Sequence, residues 1–125
     1  MHPPIGHTQW AIADGYLPLR SPDETDPRTC SHETACLLNA GDADATVRLT
    51  IFFTDREPVG PYEVTVPARR TVHLRFDDLQ DPEPIPRDTD YACIIESDYP
   101  IVVQHTRLDV RSAELGVLST LACAG

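Results

Sequence analysis

Lysine is absent from this chain. All ten basic residues are arginine, set against twenty Asp and Glu, for a formal net charge of −10. A phosphate backbone is repelled by such a mean field, so nucleic-acid binding is disfavoured. No run reaches the ~18 apolar residues of a membrane-spanning helix. The start, "MHPPIGHTQWAIADGY", lacks the basic-then-apolar order of a signal peptide. A cytoplasmic protein is therefore expected, with Cys30, Cys36, Cys93 and Cys123 as reduced thiols. The nucleophile motif G-x-S-x-G, the phosphate-binding P-loop and the dinucleotide G-x-G-x-x-G do not occur, and nothing supports enzyme activity. Cys30, His32 and Cys36 fit no common structural-zinc spacing. The H-x-H followed by Glu of a cupin-like metal site is missing too, leaving only His32, Glu33, His73 and His105 as scattered ligands. No cofactor or metal is expected.

Proline is plentiful at 12 residues, which suits a loop-rich β protein because proline breaks helix interiors. Strict alternation marks the strands. In "ATVRLTIFFT", Ala45, Val47, Leu49, Ile51 and Phe53 share one face, the period-two signature of a half-buried strand. "YEVTV" (Tyr62–Val66) and "RTVHLRF" (Arg70–Phe76) repeat it. Further strands are expected at Thr8–Ala13, Glu33–Asn39, Tyr91–Ser97, Ile101–Val110 and Val117–Cys123. Turn residues cluster in "NAGDAD" and "REPVGP". Long loops are expected at Pro18–Ser31 and Asp77–Asp90, and "VRSAELG" (Val110–Gly116) has room for one helical turn. About eight short strands make an all-β fold, a jelly-roll-like β-sandwich in a single domain over residues 1–125.

The chemistry-bearing block is "PIVVQHTRLD". Ile101, Val103, His105 and Arg107 fall on one face of a strand; Val102, Gln104, Thr106 and Leu108 fall on the other. Polar groups enter both faces at one level, and buried ones need partners. Two readings stand: an internal network at the strand end, or a polar-lined pocket at one end of the sandwich. "CSHETAC" adds His32 and Glu33 at a strand entry. "PARRTVHLRF" sets Arg69, Thr71, His73 and Arg75 on one face and Arg70 on the other, as a solvated surface or a partner-binding patch. Trp10, the sole tryptophan, is either core or a stacking ring for a ligand.

The blocks "WAIADGY", "SHETACLLNAGD", "EPVGPYEVTVPARRTVHLRF", "DTDYA" and "PIVVQHTRLD" together resemble the sensory rhodopsin transducer family of small soluble bacterial proteins. The likeness runs from Trp10 to about Thr120. It implies a jelly-roll-like sandwich that forms a homotetramer and serves, without enzymatic chemistry, as the soluble partner of a seven-helix retinal photoreceptor. It also implies a small-molecule site, for a sugar or related metabolite. The family's polar signature falls on Trp10, His32, Glu33, Arg69, Arg70, His73, Gln104, His105, Thr106 and Arg107. The expected ligand-binding set is Trp10, His32, Glu33, Arg70, Gln104, His105 and Arg107. The expected partner surface is Arg69, His73 and Arg75. A stand-alone small-molecule sensor unconnected to rhodopsin, or a cupin-like metal-dependent enzyme, are the alternatives.

Overall fold

The computed structural model describes residues 4–19, 31–109 and 116–125. Cys30, most of the expected loop at 18–31 and nearly all of the helical turn expected at 110–116 lie outside the described residues. Eight strands are present among those described: β1 (His7–Tyr16), β2 (His32–Asn39), β3 (Ala45–Phe53), β4 (Val59–Val66), β5 (Arg70–Arg75), β6 (Asp90–Asp109), β7 (Gly116–Leu121) and β8 (Cys123–Ala124). A single 3-10 turn, Phe76–Asp78, follows β5. No helix among the described residues is long and apolar enough to cross a membrane.

The all-β sandwich expected from the alternation is what forms, with all pairings antiparallel. It is organised around β6. The first half of β6 lies between β3 and β1, where Ile95 pairs with both Leu49 and Trp10. Its second half lies between β2 and β7, where Gln104 pairs with Cys36 and with Leu121. One sheet thus runs β4-β3-β6-β1-β8, and the other runs β5-β2-β6-β7. The strands expected at Tyr91–Ser97 and Ile101–Val110 are therefore one 20-residue strand. Asp98, Tyr99 and Pro100 do not end it. The Ser97 hydroxyl donates to the Tyr99 carbonyl at 2.6 Å and accepts from the Tyr99 amide at 3.3 Å, a local tie at the bend. Pro100, with no N–H to give a ladder, sits where the strand leaves one sheet for the other. Opposite the bend, the β1 register slips between His7 and Gln9.

The two sheets close on one core. Val47, Leu49, Ile51 and Ile95 come from the first, and Ala35, Leu37, Ile101 and Val103 from the second. In β3 the alternate residues Ala45, Val47, Leu49 and Ile51 are all buried. The Asp77–Asp90 loop is held down by its apolar members: Ile85 is buried and Leu79 packs on the core. Tyr62 anchors it further by donating to the Glu83 carbonyl at 2.6 Å. Trp10 is core, and its indole N–H donates to the Ile101 and His7 carbonyls at 3.0 and 3.1 Å. Gly6 passes so close to β6, at φ +109°, that a Cβ there would lie 2.1 Å from the Ile101 carbonyl oxygen. Cys36, Cys93 and Cys123 are free thiols.

Candidate functional site

The alternation of β2 turns Glu33, Ala35 and Leu37 into the sandwich, and that of β6 turns Ile101, Val103, His105 and Arg107 towards them. Register sets Glu33 beside Arg107 and Ala35 beside His105, so Glu33 lies across from one and diagonal to the other. Its Oε1 is 2.5 Å from His105 Nε2, and its Oε2 is 3.2 Å from Arg107 Nε. The Tyr16 amide donates to the same Oε2 at 2.5 Å. The Glu33 side chain is 1% exposed, His105 8% and Arg107 26%. A buried carboxylate is tolerated only when its oxygens are paired and hydrogen-bonded, and three groups meet it here. Arg107 Nη2 also reaches the Asp14 carbonyl at 3.4 Å and the exposed Asp14 carboxylate at 3.5 Å. Asp14 and Tyr16 belong to the first sheet, while Glu33 and the second half of β6 belong to the other. The cluster ties the sheets together at one end of the sandwich.

Aromatic rings wall this cluster. Phe76 meets His105 edge-on at 6.4 Å and Tyr91 at 5.4 Å. The Tyr91 hydroxyl is buried close to the Glu33 carboxylate and falls outside strict hydrogen-bonding geometry with it. Burial, then the Glu33 charge, push its ionisation well above the ordinary tyrosine range. Burial likewise pushes the Cys93 thiol up to about 12, so it is not a thiolate nucleophile at neutral pH.

A second charged knot adjoins the first; of its members the sequence singled out only Arg75, and as part of a partner surface. Arg75 grips Asp77 through two bonds, Nε–Oδ1 at 2.9 Å and Nη2–Oδ2 at 2.6 Å. Arg87 Nη2 adds a contact to Oδ2 at 3.3 Å. The Asp77 side chain is only 4% exposed. Burial alone would raise its pKa, but the Arg75 hydrogen bond and charge, with Arg87 behind them, outweigh burial and lower it. The other nitrogen of Arg87 donates to the Pro18 and Ser31 carbonyls at 2.9 and 3.3 Å. The Asp88 amide donates to the Leu17 carbonyl at 2.6 Å, and the Tyr16 hydroxyl donates to the Asp88 carboxylate. The two-residue step from Arg75 to Asp77 was the available sequence signal. Arg87, inside a proline-rich loop, offered none.

The sequence-derived residues therefore separate. Glu33, His105 and Arg107 come together. Gln104 and His32 stand on the opposite face of the same sheet. Trp10 lies six residues along β1 from Tyr16, roughly 20 Å at strand rise. Arg70 is exposed at the sheet rim, where its Nη1 donates to the Arg69 carbonyl. Arg69 pairs with exposed Asp42 at 2.7 Å, and its amide donates to the Gly41 carbonyl, joining two corners. Arg75 is held by Asp77, and His73 is exposed on the outer face beside Cys36. Asn39, another residue the sequence did not flag, fastens the same corners by donating to the Ala43 and Val66 carbonyls at 2.7 and 3.0 Å. Among the described residues no three His, Cys, Asp or Glu side chains converge as metal ligands.

Grooves also open on the outer faces of both sheets. A groove of about 310 Å³ on the β5-β2-β6 face is lined by Cys36, Leu38, Thr71, His73, Val102 and Gln104. An apolar groove of about 250 Å³ on the other sheet is lined by residues of β1, β3 and β6, with Phe52 and Ile94 as its large members.

Comparison with known proteins agrees with the sequence blocks. The family model described as "Anabaena sensory rhodopsin transducer" matches residues 5–124. A solved structure of that name from Anabaena is 60% identical, covers 86% of this chain and 100% of its own, and superposes with a TM-score of 0.77. A crystal structure titled Thermotoga maritima 1070 is 32% identical over 97% of both chains, with a TM-score of 0.82. A comparison with curated protein sequences gave no match. On the length of the family match and the identity to a named member, the chain belongs to the Anabaena sensory rhodopsin transducer family.

Proposed function

We propose that this chain is a non-enzymatic signalling module: a single-domain cytoplasmic transducer, assembled as a homotetramer, that docks on a seven-helix retinal photoreceptor. The observation that carries the reading is the 60% identity spanning the whole of the Anabaena sensory rhodopsin transducer chain. Charge supports it. Cytoplasmic loops of membrane proteins carry an excess of Lys and Arg, and a chain of net charge −10 is attracted to them. The anionic cytoplasmic leaflet repels the same chain, so docking favours the receptor over bare lipid. On this reading the Glu33 cluster braces the sandwich.

The test is calorimetric titration of the protein into nanodiscs holding Anabaena sensory rhodopsin, in the dark and under illumination, at low and high salt. Saturable binding that weakens with salt and differs between dark and light supports the reading. No heat with receptor nanodiscs beyond that with empty ones overturns it.

A second reading keeps a small-molecule pocket for a sugar or related polar metabolite. It is favoured by the buried Tyr91 hydroxyl, which lies close to Glu33 and Arg107 outside strict hydrogen-bonding geometry. A saturable rise in melting temperature with one ligand class, lost in Arg107→Ala, supports it. A flat screen across sugars, polyols and carboxylates removes it.

A further inference from the structure

The outer face of the β4-β3-β6-β1-β8 sheet carries two hollows side by side. The first is the apolar groove of about 250 Å³. Ala11, Ala13 and Ala92 give it a floor of small side chains. Ile94, cross-strand from Ala11, and Phe52, cross-strand from Ala92, are its larger members. Phe52 is 39% exposed. No charged side chain of the described residues lines this groove. The second hollow, of about 380 Å³, begins two residues further along β6 and is lined by Thr46, Arg48, Glu96, Ser97 and Asp98. Register sets Arg48 beside Glu96, yet Arg48 is turned to Glu63 at 3.0 Å. The Asp98 carboxylate accepts only the Thr46 amide, at 2.8 Å. Glu96 is exposed and has no hydrogen bond or ion pair among the described residues.

We infer that this face takes a cationic amphipathic helix of a partner protein, with an apolar side chain in the groove and an Arg or Lys one turn away over Glu96 and Asp98. The inference deepens the receptor-docking reading above and rests on it: it names the surface and the element that meets it. Ile94 and Glu96 are about 6.6 Å apart at strand rise. Residues i and i+4 of a helix share a face and are about 6.0 Å apart. One helical turn therefore spans the step from apolar groove to acidic hollow. A wholly apolar helix would desolvate Glu96 and Asp98 without a counter-charge. A wholly polar one would leave the groove unfilled. Charges act over about 8 Å at physiological salt, so these two carboxylates select the sign of what lies on them. Lys and Arg concentrate on the cytoplasmic side of membrane proteins. An anionic lipid surface brings the wrong charge. A second copy of this chain brings the same carboxylates towards their own kind.

The experiment is calorimetric titration of the wild type, Phe52→Glu, Glu96→Lys and Glu83→Lys into nanodiscs holding Anabaena sensory rhodopsin, with empty anionic nanodiscs as the blank. Circular dichroism checks folding and sedimentation velocity checks mass. Glu83 is exposed in the Asp77–Asp90 loop, and its variant changes net charge by the same amount as Glu96→Lys. The expected result is binding weakened at least about tenfold in Phe52→Glu and Glu96→Lys, and by less than about threefold in Glu83→Lys. Wild-type affinity in either face variant overturns the inference and leaves the docking reading standing. So does a Glu83→Lys protein as weak as Glu96→Lys, because net charge then explains the loss. A Phe52→Glu species of lower mass than the wild type also overturns it, by placing a second copy on the face. A wild type that binds receptor nanodiscs no better than empty ones overturns both. Should Phe52→Glu not fold, Glu96→Lys against Glu83→Lys decides.

Discussion

Glu33 Oε1 and His105 Nε2 lie 2.5 Å apart although 72 residues separate them in the chain. Both side chains are shielded from solvent, and Arg107 and the Tyr16 amide complete the surroundings of the carboxylate. Glu33→Ala would leave Arg107 and His105 facing a void and should cost about 3–5 kcal/mol, the range for breaking a buried ion pair from one side. His105→Ala, which removes one donor, should cost roughly 1–3 kcal/mol. Urea denaturation measures both. A Glu33→Ala protein within about 1 kcal/mol of wild type would show that the cluster does not brace the fold.

Tyr91→Phe should leave stability unchanged or raise it by up to about 1 kcal/mol, because the hydroxyl it removes is buried outside strict hydrogen-bonding geometry. The alkaline limb of the stability curve should change as well. The folded-state pKa of Tyr91 lies well above its ordinary 10.0. The unfolded chain therefore loses that proton first, and stability present below pH 10 falls as pH rises beyond it. The phenylalanine variant lacks this share of the decline. A marked loss of stability at neutral pH in Tyr91→Phe would mean that the hydroxyl has a partner after all.

Acid should act through Asp77. Its folded-state pKa is lowered, so the unfolded state takes up the proton first. The stability that Asp77 adds is fully present above the unfolded carboxylate range, around pH 4. It is lost as pH falls through the lower folded value. Asp77→Asn should be destabilised at pH 7 and show a flatter dependence between about pH 4 and 2. Melting temperatures across that interval read it directly, and parallel curves for variant and wild type would refute the assignment.

Gly6→Ala tests the close passage of β1 over β6. A methyl group at φ +109° and 2.1 Å from the Ile101 carbonyl cannot be accommodated without moving backbone. A loss of at least about 2 kcal/mol is expected from strain and overpacking together. A melting temperature within a degree or two of wild type would show that this crossing is looser than drawn.

The strands could be read from the chain because alternation is a local property. Ala45 to Ile51 declared their buried face, and the interior members of "RTVHLRF" did the same. The bend at Pro100 could not be read this way. Proline interrupts a ladder locally, and only the exchange of partners, β3 and β1 for β2 and β7, shows that the strand continues. The polar block was legible as an anomaly and illegible in its meaning. Alternation divided it correctly into His105 with Arg107 and Gln104 with Thr106. It could not say that the first pair faces Glu33.

Sequence alone determined the all-β class, the acidic surface, the inward register of most strands and the family. The first three follow from composition or from neighbours a few residues apart, and the family follows from the likeness of several long blocks taken together. Tertiary structure alone decided that Glu33, His105, Arg107 and the Tyr16 amide share one buried site, and that Arg75 and Arg87 converge on Asp77. Those contacts join residues brought together by sheet pairing and by the closing of two sheets over one core. Chain distance carries no record of them. The physical reason is that a charge's partner is chosen by burial: once a carboxylate is taken out of water, the fold must bring donors to it from wherever the topology allows.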